Sequence, residues 1–168
     1  MRATVLAVGL LLLSTSAHAD DHNINFDKSV DFSAFKSFAV RHTTITSGSP
    51  ELNNPLFGKQ VADATRAALK AKGLVETSDQ PDLFVDCSVT GLDYVLGSVG
   101  VPRPQPLGTP VGNVAFTDGT VVIDLTGRTQ SALVWRGIYH RPKSTAAKLA
   151  EYLPSTPQRL IAEYPPRR

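Results

Sequence analysis

The chain has 168 residues and a mass of 18.0 kDa, the length of one ordinary domain. Hydrophobic residues make up 42% and charged residues 19%, which excludes a disordered tail. Seventeen basic against fifteen acidic side chains leave +2. That excess is too small for a nucleic-acid surface, and no Lys/Arg run offsets it. The single cysteine excludes an internal disulfide framework and a thiolate zinc cluster.

Arg2 gives a positive start, residues 5–13 (VLAVGLLLL) are apolar, and Ala17-His18-Ala19 presents the small side chains a signal peptidase reads. The pattern predicts a signal peptide over residues 1–19, cleavage after Ala19, and a single mature domain over residues 20–168, periplasmic or secreted. A membrane span needs about 20 apolar residues. Ser14, Ser16, His18 and Asp20 end this run too early, and no later stretch is long enough. No cysteine sits near the cleavage site, so no lipid anchor is expected.

Ile24 and Phe26 alternate as in a short strand, and residues 35–40 (FKSFAV) predict another. Residues 42–53 (HTTITSGSPELN) read as a loop. Asn54 and Pro55 then open a helix over about residues 55–72. Asn54 caps, and Pro55 suits a first position that needs no amide donor. Phe57, Val61, Ala64 and Ala68 form its apolar stripe, Lys59, Asp63, Arg66 and Lys70 its polar side, and Gly73 ends it.

Residues 82–90 (DLFVDCSVT) alternate, with Leu83, Val85, Cys87 and Val89 on one face. Residues 97–113 are rich in Gly and Pro and predict no regular element. Residues 120–126 and 132–140 predict a hairpin at the centre of the sheet. Ser144 caps a C-terminal helix that Pro154 breaks and Pro157 restarts. Strands at both ends of one helix, then a run of strands, predict an α+β single domain. Its sheet is mainly antiparallel, packed against one long helix and a broken C-terminal helix.

Five stretches resemble the bacterial DUF4136 family, a domain of unknown function found in exported proteins and lipoprotein candidates. They are VDFSAFKSFAV (30–40), NPLFGKQVADATRAALKAKGL (54–74), PDLFVDCSV (81–89), GTVVIDLTGRTQSALVWRG (119–137) and LIAEYPP (160–166). The resemblance spans residues 24–166 and implies an envelope location, an α+β fold and no catalytic residue. Two features depart from the family. The lipobox cysteine of many members is absent, and Thr126-Gly127 stands where members often carry an acidic pair.

Trp135, Arg136, Tyr139 and His140 are the candidate ligand-binding residues. They set aromatic and cationic groups on alternate faces of one strand; the plain alternative is a core anchor beside a solvated Arg. Asp82, Asp86, Asp93 and Asp124 with His140 match no metal-ligand spacing, so no metal site and no cofactor are expected. Cys87 lies on an apolar face and reads as an inert thiol. Residues 101–106 (VPRPQP) have polyproline spacing but read as a stiff loop.

The first expectation is a non-enzymatic envelope protein that binds a partner protein or a small ligand. One rival is a periplasmic hydrolase using scattered carboxylates and His140, which requires Asp86, Asp124 and His140 to share a pocket. Another is an accessory subunit that adds a sheet edge to its partner, which requires a bare edge strand.

Overall fold

The structure is a computed structural model that describes residues 21–96 and 114–166. The proposed signal peptide and the Gly/Pro-rich segment 97–113 lie outside the described residues. The chain forms a mixed α/β domain on one six-stranded sheet. The strands are β1 (Asp21–Phe26), β2 (Ser37–Ser47), β3 (Val75–Glu76), β4 (Leu83–Leu96), β5 (Val114–Gly127) and β6 (Ala132–Ser144), in spatial order β1-β6-β5-β4-β2-β3.

Helix α1 (Pro55–Ala71) starts as its sequence dictates. The Asn54 side chain accepts from the Phe57 amide at 2.9 Å, and Pro55 fills the first turn. Gly73 ends it at φ +87°, where a side chain would be strained. Its core stripe is Phe57, Val61, Thr65, Ala68 and Leu69. Thr65 enters because its hydroxyl donates back to the Val61 carbonyl at 2.8 Å, so it buries no free donor. Ala64, expected in the stripe, is only half-buried.

One face of the sheet carries the core. Phe38, Leu83, Val85, Cys87, Val89, Val121, Ile123, Leu125, Trp135 and Tyr139 pack there against Leu69 of α1 and Leu149, Leu153, Leu160 and Ile161 of the C-terminal helical run. The other face has no helical layer among the described residues. Cys87 is buried, its hydroxyl neighbour Thr65 lies 3.5 Å away, and burial pushes the thiol above its ordinary range.

Beyond Ala64, the structure corrects the sequence reading elsewhere: Thr145, not Ser144, caps the C-terminal helical run, its side chain accepting from the Lys148 amide. The sheet is antiparallel only from β1 through β6 and β5 to β4. β2 runs parallel to both β4 and β3, because α1 carries the chain back across the sheet between β2 and β4, as a parallel pair requires. Residues 42–47 are not loop. They continue β2, and their β-branched Thr43, Thr44, Ile45 and Thr46 outweigh the turn-like composition around them. Pro154 does not break the C-terminal helix. It sits in the first turn of a 3-10 segment (Leu153–Ser155) that joins α2 (Ala146–Tyr152) to α3 (Thr156–Ile161). Tyr152, Leu153, Ser155 and Thr156 all keep right-handed helical dihedrals, and a proline is tolerated at such a position. Finally, β4 and β5 pair over 14 residues each, well past the expected ends.

Candidate functional site

The uncovered face mixes polar and apolar side chains, with Phe84, Val122 and Ile138 standing among Asp86, Asp124 and Arg136. The residues that alternate with the core positions on β4, β5 and β6 point to it. Cross-strand register assembles these side chains into rows. One row runs His42, Asp86, Asp124, Arg136, Asn25 across five strands. Arg136 grips Asp124 through two bonds, Nε at 2.6 Å and a terminal nitrogen at 2.7 Å, which holds the guanidinium more firmly protonated than usual. Asp86 accepts from Arg41 and from His42 Nδ1 at 2.9 Å. Burial works to raise the Asp86 carboxyl, but the Arg41 and His42 bonds outweigh it and hold the group below its ordinary range. Arg41 also lies over the Phe84 ring, 4.8 Å from its centroid.

His140 stands on the same face but four residue pairs along the ladder from Arg136, with Nδ1 3.0 Å from the Thr120 hydroxyl. Asp86 and Asp124 are direct register partners, yet each is held by its own guanidinium. The three groups therefore share a face and not a pocket, and neither carboxylate has a free oxygen pair aimed at a common point. Among the described residues no group of three or more His, Cys, Asp or Glu side chains could hold a metal ion, and no helix is long and apolar enough to cross a membrane.

Asp82 has a different task. Its Oδ2 accepts from the amides of Lys36 and Ser37 at 2.8 and 3.0 Å and from the Ser37 hydroxyl at 2.9 Å. The Lys36 amide, chiefly, holds the carboxyl below its usual range. Asp82 thereby ties the start of β2 to the start of β4. Asp93 similarly accepts from Thr117 and Ser49.

The four candidate ligand residues divide between the two faces. Trp135 and Tyr139 are sealed in the core, where Trp135 meets the Tyr164 ring edge-on at 6.1 Å and Tyr139 lies beside Tyr152 at 5.9 Å. Arg136 and His140 are on the uncovered face. A depression of about 290 Å³ does reach this end of β6, between Asn25 to Asp27 at the end of β1 and Leu133 to Arg136.

A further feature lies where the sequence reading saw a loop. β3 covers β2 only at Ser37 and Phe38. From Ala39 to Ser47 the outer edge of β2 pairs with no strand among the described residues. A bulge between Val40 and His42 disturbs the first part of that edge; His42 to Ser47 then run in unbroken register with β4. Beside this edge lies a groove of about 520 Å³, walled by Thr43 and Ile45 of β2, by Asn53 and Asn54, and by Pro55, Gly58, Lys59, Ala62 and Arg66 of α1. The signal that could have found it was the run TTIT, four β-branched residues together.

Residues 22–166 match the DUF4136 family, a domain of unknown function. The chain belongs to that family. Solved structures share the fold of this DUF4136 domain at low identity. A DUF4136 protein from Bacteroides thetaiotaomicron is 15% identical, with 86% of this chain covering 92% of that one at a TM-score of 0.54. A PDZ domain protein from Parabacteroides distasonis is 15% identical at a TM-score of 0.60; 88% of this chain is covered, but only 36% of that longer protein. The PelC dodecamer from Paraburkholderia phytofirmans is 10% identical, with 85% and 96% covered and a TM-score of 0.50. A search of curated proteins found no significant match.

Proposed function

We propose that this DUF4136 domain is an exported, non-enzymatic protein of the bacterial envelope whose work is to bind a partner protein through the outer edge of β2. One observation carries the reading: among the described residues, β2 keeps an unpaired, bulge-free edge from His42 to Ser47 beside a groove of about 520 Å³. An unpaired edge presents backbone donors and acceptors that an added strand satisfies. The hydrolase reading has no comparable support, since Asp86 and Asp124 are each held by a guanidinium and His140 lies apart. Export is supported by the charged, apolar and small-residue pattern of residues 1–19, and the proposed location is the periplasm or outside the cell.

Two measurements test this. Intact mass of protein from the envelope fraction should give a chain beginning at Asp20; a product retaining Met1 would refute export. A photo-crosslinking residue at Thr44 or Thr46, both exposed on β2, should capture a second protein in intact cells. The same residue at exposed Thr129 should not. Equal capture at both positions would refute the β2 edge as the binding surface.

A further inference from the structure

Resting on the β2-edge reading, we infer that the occupant of the groove is an extended segment of another polypeptide carrying acidic side chains, and not a second copy of this chain. The backbone sets the first requirement. The segment from His42 to Ser47 is about 20 Å of strand, and in a parallel ladder alternate residues turn their N–H and C=O outward. A docked strand would pair with those groups and send every second side chain towards α1, into the space lined by Thr43, Ile45, Gly58 and Ala62.

Charge sets the second requirement. Among the described residues the charged side chains lining the groove are Lys59 and Arg66, with no carboxylate. Asp63 and Glu76 do not line it but already pair with these cations: Lys59 and Arg66 both reach Asp63, and Arg66 also reaches Glu76. These pairs are at least partly solvent-exposed and small in net energy, so a carboxylate on the incoming strand would compete for the two cations that line the groove wall.

The third point excludes self-association. Pairing β2 with β2 of another copy about an axis normal to the sheet puts both α1 helices on the same side, over the same two strands. Here α1 already stands against the edge: a Cβ placed on Gly58 would lie 3.2 Å from Ile45 Cδ1. A 17-residue helix is 10–12 Å across and about 25 Å long. It does not fit a groove of about 520 Å³, whereas a few side chains of one strand do.

The probe is a capped decapeptide of alternating valine and glutamate, beside a valine–lysine version and a version with proline at alternate positions. Binding is followed by fluorescence anisotropy, and its place by amide hydrogen exchange of the full mature chain. The valine–glutamate peptide should slow exchange at residues 42–47, the lysine version should bind about tenfold or more weakly, and the proline version should not bind. The Lys59→Gln/Arg66→Gln protein should keep strand binding and lose the glutamate preference. Equal binding of the glutamate and lysine peptides at residues 42–47 would overturn the acidic occupant and leave the edge reading intact. Protection elsewhere on the chain, or none, would overturn both. Protection of residues 42–47 that grows with protein concentration in the absence of peptide would establish a second copy and overturn the inference.

Discussion

Neighbouring residues of one strand hold the two faces of this sheet by different physics. Leu83, Val85, Cys87 and Val89 on the covered face of β4 are no more than 1% exposed, while Phe84 and Asp86 between them are half-buried and Ser88 is exposed. β6 repeats the contrast with Trp135 against Arg136. The covered face is stabilised by apolar area removed from water, which accrues with every methylene. The uncovered face is held by cross-strand pairs such as Asp124 with Arg136, which are specific in register but small in net energy. The two faces should therefore respond to mutation on different scales, even at adjacent positions.

The widest gap lies at one peptide bond. Trp135→Ala should cost about 3–5 kcal/mol in denaturant melts, and Arg136→Ala about 1 kcal/mol or less. Equal losses would abolish the contrast between the faces. Gly137→Ala comes next, at about 1–3 kcal/mol, because a Cβ there would lie 2.6 Å from Trp135 Cη2 and 3.2 Å from Leu160 Cβ. An unchanged melting midpoint would mean the Trp135 ring has room to move.

Asp82 belongs to neither face and sharpens the comparison from the end of the sheet. Asp82→Ala should cost about 1–2 kcal/mol, since it frees two amides and a hydroxyl at once. Its folded carboxyl lies below the unfolded value. The stability it contributes is therefore fully present above about pH 4 and is lost as pH falls through the depressed folded value. Wild type and Asp82→Ala should differ in urea midpoint at pH 6 and converge in acid; a constant difference would show that the carboxylate charge is not what ties β2 to β4. The smallest effect is the Asp124–Arg136 coupling, about 0.5–1 kcal/mol by double-mutant cycle and weaker in high salt. A coupling of several kcal/mol would make the uncovered face a second source of stability on the scale of the core.

Wherever side-chain period and face agree, the fold was legible. The alternation over residues 82–90 marked both faces of β4, and Asn54, Pro55 and Gly73 marked both ends of α1, because those signals act within a few residues of themselves. Residues 42–47 were misread because Ser, Thr and Gly nearby suggest a turn, while pairing with β4 some 44 residues away settles the conformation. The parallel direction of β2 follows from the helix between two strands, a signal that the later run of strands masks in the sequence. For the candidate site, the sequence supplied Arg136 and Asp124 as residues but not as partners. That they meet follows from the β5–β6 register and the bulge between Leu125 and Thr126, which composition does not encode.

Strand order also imposes a timetable on folding. β5 and β6 meet across a short turn, with Asp124 and Arg136 only 12 residues apart. β1, the first described strand, pairs among the described residues only with β6, from Asp21 with His140 to Phe26 with Trp135. Closing that separation, on the order of 110 residues, costs about 2 kcal/mol more chain entropy than closing the hairpin. A chain delivered N-terminus first thus presents β1 before the other described strands and has nowhere to seat it until β6 has followed. For that interval Ile24 and Phe26 lack their mate, and afterwards the outer flank of β6 stays bare until β1 arrives. The sheet is completed by its oldest strand, which makes β1 the latecomer of the fold.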